Sequence, residues 1–116
     1  MTITQIARLL DAKIYCCEEM LEREVHTGVG CDLMSDVLAY VEDQAVLLTG
    51  LINPQVVRTA EMMDIICLVF VRGKEPTEAM IELAEERSII LMSTEKGMFA
   101  SCGFLYHAGL MSGDDC

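Results

Sequence analysis

The chain has 116 residues and a mass of 12.9 kDa, the size of one domain that buries roughly two-thirds of the surface its unfolded form exposes. A composition of 53% hydrophobic and 23% charged residues with only two prolines excludes a disordered chain. Eight Lys and Arg against nineteen Asp and Glu leave a net charge of −11, which argues against nucleic acid and anionic membrane as partners, because neither polyanion gains counterion release from such a surface.

The longest wholly apolar run, Ile65 to Val71, is seven residues, against the ~20 that a membrane-spanning helix requires. The amino end, Met1-Thr2-Ile3-Thr4-Gln5, lacks the basic stretch of a signal peptide. A soluble, cytoplasmic protein is expected.

Thr2 and Gln5 stand at capping-box spacing, and Ile6, Leu9 and Leu10 continue with helical spacing to about Asp11-Ala12. Lys13 to Cys17 reads as a strand, and Glu18 to Glu24 as a charged connection. Val25 to Cys31 reads as a second strand, with Gly28 and Gly30 where the backbone must approach something closely. The next helix runs from Asp32 to Tyr40, with Asp32 or Ser35 able to cap it, and Glu42-Asp43-Gln44 turns the chain. Ala45 to Leu48 is wholly apolar, the pattern of a strand covered on both faces.

Thr49-Gly50 ends that strand, and Asn53 at N-cap with Pro54 at N1 starts a helix. Val56, Val57, Ala60 and Met63 mark its inner face, while Arg58, Thr59 and Glu61 point elsewhere. Ile65 to Val71 is the strongest strand signal, followed by the loop Arg72 to Pro76 and an acidic amphipathic helix from Thr77 to Arg87. Ile89 to Met92 is the last strand. Ser93-Thr94 is placed to cap a final helix whose stripe is Met98, Phe99, Cys102, Leu105 and Tyr106. Gly109 offers a left-handed cap with Leu110 packing back, so residues 1–110 form the domain and 111–116 a loose tail. Strand and helix alternate with short connections from residue 25 onward. The pattern predicts an α/β fold, a mainly parallel sheet covered by helices.

No motif here is a catalytic signature. Gly73-Lys74-Glu75 lacks the upstream glycine and following Ser or Thr of a P-loop, and Thr27 to Gly30 is too short for a dinucleotide fingerprint. The cysteines, at 16, 17, 31, 67, 102 and 116, form no Cys-x-x-Cys pair, and His26 and His107 lie far apart. Structural thiols in a reducing compartment are the plainer reading, with a thiol or metal carrier as the alternative. Two stretches could hold a ligand. Thr49 to Pro54 joins a buried strand end to a helix start, where backbone N–H groups and the helix dipole favour an anion. Asp32 and Asp36 would lie one turn apart on a helix, able to hold a cation or a basic partner. Plain helix capping explains both stretches as well. Nine methionines against six aromatic residues make a pliable core or interface.

Val29-Gly30-Cys31-Asp32-Leu33-Met34-Ser35-Asp36-Val37-Leu38-Ala39 resembles a stretch of small DRTGG-domain proteins, as do Asn53 to Val57, Arg72 to Pro76, and the closing Phe99, Gly103, Leu105, Tyr106 and Ala108-Gly109. Leu21 to Val25 looks like that family's Asp-Arg element with Glu22 in place of Asp. Tyr40 stands where the family places Asn, and Leu51-Ile52 where it commonly has Gln-Thr-His. The resemblance spans residues 3 to 110. It implies a three-layer fold like the amino-terminal domain of HPr kinase/phosphorylase, also found in phosphotransacetylases and some CBS-containing pyrophosphatases. It further implies a non-catalytic accessory role without a cofactor, in which a small anionic ligand or a protein partner is bound. A homodimer is expected, and a redox enzyme such as a hydrogenase is an implied partner, since stand-alone copies often accompany iron-only hydrogenase genes. A phosphotransfer enzyme is the alternative, although the kinase half and its P-loop are missing. Asp32, Ser35, Asp36, Thr49 and Asn53 are the candidate ligand-binding residues.

Overall fold

A computed structural model describes residues 1–41 and 44–113. In chain order it forms α1 (Ile3–Leu10), β1 (Lys13–Ile14), β2 (Thr27–Gly30), α2 (Met34–Tyr40), β3 (Ala45–Thr49), α3 (Pro54–Met62), β4 (Cys67–Phe70), α4 (Glu78–Arg87), β5 (Ile90–Ser93), α5 (Met98–His107) and β6 (Met111–Ser112), with a 3-10 turn at Glu18–Met20. Every residue of β3, β4 and β5 is buried, so each of these strands needs apolar cover on both faces. The sheet supplies that arrangement. Its order is β1-β5-β4-β3-β2-β6, and all neighbours run parallel except β1, which lies antiparallel to β5.

Because side chains alternate across a strand, the central strands feed two cores. Leu47, Leu68, Phe70 and Leu91 pack against Val37 of α2, Val56, Val57 and Ala60 of α3, and Met80 and Ala84 of α4. Val46, Leu48, Cys67, Val69, Ile90 and Met92 pack on the opposite face against Ile3, Ile6 and Leu10 of α1 and Leu105 of α5. The result is the three-layer α/β fold that the alternating pattern predicts. The chain steps from β2 to β5 one neighbour at a time, then crosses the whole sheet through α5 to reach β6 beside β2.

Local signals set several helix ends. Thr2 and Gln5 close a reciprocal capping box, Gln5 N–H donating to Thr2 Oγ1 at 3.2 Å and Thr2 N–H to Gln5 Oε1 at 2.7 Å. Asn53 Oδ1 accepts from Gln55 N–H at 2.8 Å, with Pro54 in the first turn of α3. Gly109, at φ +109, lets Leu110 turn back, donate to Leu105 O at 3.0 Å and bury its side chain.

Other expectations give way to tertiary geometry. The first strand stops at Ile14, because Cys17 adopts a left-handed conformation (φ 61) that turns the chain into the 3-10 segment. Thr59 is buried rather than outward, since it lies three residues from Val56 and so on the same face. Neither Asp32 nor Ser35 caps α2; Leu33 occupies that position with no side-chain hydrogen bond. Ser93 and Thr94 do not cap α5, which begins after Gly97. Ser93 is instead in β5 and donates to Lys74 O at 2.7 Å. Of the stripe expected on α5, Leu105 is buried and Met98 and Cys102 are half-buried, while Phe99 and Tyr106 are exposed. Met111–Ser112, placed by the sequence reading in the tail, pairs with Thr27 and Gly28 of β2. Glu42 and Asp43 of the expected turn lie outside the described residues, as do residues 114–116.

Thr94, just past β5, ties that strand's end to α1. Its buried hydroxyl donates to Leu10 O at the end of α1, at 2.6 Å. Thr94→Val keeps the shape and removes the donor, leaving a buried helix-end carbonyl without this partner. A loss of about 1–3 kcal/mol is expected in urea unfolding; an unchanged midpoint would show that the bond carries no net stability.

Candidate functional site

Ligand sites in open α/β sheets gather beyond the carboxyl ends of the strands. Here those ends belong to β2, β3, β4 and β5, and four loops converge there. Asp32, just past β2, reaches across to the end of β3, where its Oδ1 accepts from the Thr49 hydroxyl at 2.9 Å and from Gly50 N–H at 2.7 Å. Thr49 Oγ1 in turn accepts from Leu51 N–H at 3.1 Å. The loop after β4 passes through two successive left-handed residues, Arg72 (φ 59) and Gly73 (φ 69). Their N–H groups donate to Lys96 O at 2.8 Å and Thr94 O at 2.9 Å, which fastens this loop to the one after β5.

The absent side chain of Gly50 makes room for a cation. A Cβ there would lie 2.9 Å from Arg72 Nη2 and 3.7 and 3.8 Å from the two Asp32 carboxylate oxygens. The Arg72 guanidinium therefore lies over the β3 end, close to the Asp32 carboxylate. Among the described residues the one direct ion pair is Arg87 with Glu61, at 3.1 Å, so Arg72 and Lys74 act on the Asp32 carboxylate without being locked into a direct pair with it. Hydrogen bonds from Gly50 N–H and the Thr49 hydroxyl, with the positive charges of Arg72 and Lys74, hold the Asp32 carboxyl below its ordinary range against the opposing effect of burial.

The five residues expected at a site thus separate. Asp32 and Thr49 meet directly, and Asn53 caps α3. Ser35 and Asp36 are exposed in the first turn of α2. Asp32 precedes that helix, so Asp32 and Asp36 do not form a carboxylate pair on one helix face. The backbone N–H groups of Gly50, Leu51 and Gln55 are already occupied, so these three are not free to meet an anion, whereas the side-chain cations of Arg72 and Lys74 are at the same rim. Arg72 and Lys74 were missed as site residues. The signal that would have found them is their place in the loop following the strongest strand.

Two further concavities flank the rim. A polar one of about 350 Å³ involves Asp11, Lys13, Tyr15, Glu75 and Glu95, with the Tyr15 hydroxyl donating to Glu75 Oε1 at 2.9 Å. An apolar groove of about 390 Å³ runs between β2, β6 and α5, past Gly28, Gly30, Phe99, Cys102, Tyr106 and Met111. The two glycines admit close neighbours: a Cβ on Gly28 would lie 2.8 Å from Leu110 Cδ2, and one on Gly30 2.7 Å from Cys102 Sγ.

The thiols are dispersed. Cys67 is fully buried within β4, and burial pushes its thiol up. Burial likewise pushes the thiol of Cys17 up to about 12 and raises those of Cys16 and Cys102, so these groups stay protonated and weakly nucleophilic at neutral pH. Among the described residues no group of three or more His, Cys, Asp or Glu side chains could hold a metal ion, and no helix is long and apolar enough to cross a membrane.

Fold and rim together define a three-layer α/β domain with basic side chains at the carboxyl edge of its sheet. The DRTGG domain family model matches residues 5–108, and the chain belongs to that family. None of the curated proteins compared with it matches. Among solved structures it is similar to the CBS and DRTGG domains of the regulatory region of a Clostridium perfringens pyrophosphatase, complexed with the activator diadenosine tetraphosphate. The likeness has a TM-score of 0.76 at 17% identity and covers 98% of this chain and 51% of the other. The chain thus spans about half the length of that neighbour, and the likeness shows the fold.

Since the folded Asp32 carboxyl titrates below the unfolded one, the unfolded chain takes up this proton at the higher pH. The stability that Asp32 contributes is present above the unfolded value of ~4 and is lost as pH falls through the folded value. Asp32→Asn is expected to lower stability at neutral pH by about 1 kcal/mol and to flatten part of the acid-side decline. Denaturant midpoints measured from neutral pH down through the carboxylate range test this; parallel profiles for the two proteins would refute it.

Proposed function

We propose that this chain is a non-catalytic regulatory module that binds a small anionic ligand at the carboxyl edge of its sheet. The observation that carries the reading is Arg72. Its guanidinium stands over Gly50 at the end of β3, with a backbone fixed by two hydrogen bonds from the Arg72-Gly73 loop. Lys74 follows on the same loop. Asp32 orients this loop cluster without forming a direct ion pair, so a phosphate or carboxylate could take bidentate hydrogen bonds from the guanidinium. A ligand of this kind would be drawn to one of the few positive places on a chain of net charge −11.

The domain architecture supports the regulatory part of the reading. The similar pyrophosphatase domains belong to a regulatory region and are complexed with a polyphosphate dinucleotide. By analogy the present domain reports the level of a phosphate-bearing metabolite to a partner enzyme. On the resemblance alone, that enzyme belongs to a redox system such as a hydrogenase.

Isothermal titration with diadenosine tetraphosphate and with inorganic pyrophosphate tests the proposal. At least one of these probes is expected to bind saturably, with affinity that falls as salt is added. Arg72→Ala is expected to weaken that binding by about tenfold or more, since a hydrogen bond to a charged group contributes about 1.5–3 kcal/mol. Arg72 is exposed, so the variant should fold, as its circular dichroism would show. Binding of neither probe, or binding unaffected by Arg72→Ala, would overturn the reading.

A further inference from the structure

The apolar groove beside α5 flanks the basic rim without including its cations, and it carries an exposed hydrophobic face. Phe99 is 93% exposed, Tyr106 69% and Met111 65%, and all three line the groove. Phe99 and Tyr106 are seven residues apart, two turns along one side of α5. Between them is Gly103, where a Cβ would meet nothing within 4 Å. A glycine in the middle of a helix weakens it relative to alanine, and no contact within the chain requires one here. Its use would be to let another surface approach the helix backbone.

Charge identifies the occupant. The chain has nineteen Asp and Glu, yet none falls between Lys96 and Gly113, the segment that builds α5 and β6. Two copies of a chain with net charge −11 repel each other over most of their surfaces. They can approach where both faces lack carboxylates, and a two-fold contact sets the same face against itself. A basic partner would instead be drawn to the acidic remainder of the surface.

The area is also sufficient. The exposed parts of Phe99, Tyr106 and Met111 present about 450 Å² per copy, taking large side chains at about 200 Å² each. Two copies thus bring about 900 Å² from three side chains alone. Gly103, Cys102 and the edge strand β6 raise this past the ~1,000 Å² of a specific interface. We propose that a second copy of this chain docks on this face, α5 against α5 across a two-fold axis, with Phe99 of each copy entering the other's groove. The proposal does not rest on the ligand reading: none of the residues offered to an anion, Arg72 and Lys74 included, lines this groove.

Sedimentation equilibrium or native mass spectrometry of the full chain at micromolar concentration should find a species of twice 12.9 kDa. Phe99→Glu, and separately Gly103→Glu, put a carboxylate at the centre of the contact and should each give a monomer. Both positions face open space, so these monomers should keep the wild-type circular dichroism spectrum. Leu33→Glu, on an exposed apolar residue before α2, should leave the dimer intact, as should Arg72→Ala. A monomeric wild type would overturn the proposal, and so would a dimer that survives both α5 variants or dissociates with Leu33→Glu.

Discussion

The structure depends on the burial of β3, β4 and β5 on both faces. Such a strand can carry no unpartnered polar side chain along its length, because desolvating one costs on the order of 1–3 kcal/mol. Its residues are accordingly apolar until the strand ends, where Thr49 and Ser93 appear. Both find partners outside their own strands: Thr49 in Asp32, and Ser93 in the carbonyl of Lys74. The interior is thereby reserved for packing, and hydrogen-bonding chemistry is displaced to the ends of the strands. That displacement, more than any motif, decides where a ligand could be met.

The same constraint explains what was legible in the sequence. A strand covered on both sides appears as a continuous apolar run, so Ala45–Leu48, Ile65–Val71 and Ile89–Met92 could be read directly and in the right order. Helix termini that satisfy their own groups were equally plain, as with Thr2 and Gln5, Asn53 and Pro54, and Gly109 with Leu110. Each of these signals is complete within a few residues, and nothing distant competes with it.

Where a distant group competes, the local reading failed. Asp32 stands where a helix cap is expected, but Thr49 and Gly50 offer it two donors from another strand end, and it takes those. Thr94 similarly leaves the α5 terminus to bond the end of α1. On α5 the helical period narrows the inward residues to a sector, but the position of β2 and β6 decides which flank of that sector is covered. Phe99 and Tyr106 fall on the uncovered flank for that reason. Arg72 could be placed in a loop from sequence, while its position over Gly50 requires the sheet to be assembled first.

The rim illustrates how a strongly acidic chain can keep a working cation. Asp32 is close enough to stabilise Arg72 electrostatically, yet its Oδ1 is engaged by Thr49 and Gly50. A carboxylate with one oxygen engaged in this way is restrained from a bidentate pair with the guanidinium, a pairing that an incoming anion would have to break. The backbone of Arg72 is meanwhile fixed in a left-handed conformation by its bond to Lys96 O. Part of the ordering that binding would otherwise require is therefore complete before any ligand arrives. The carboxylate acts as a restrained neighbour rather than a partner, lowering the cost of keeping Arg72 in place without cancelling its charge.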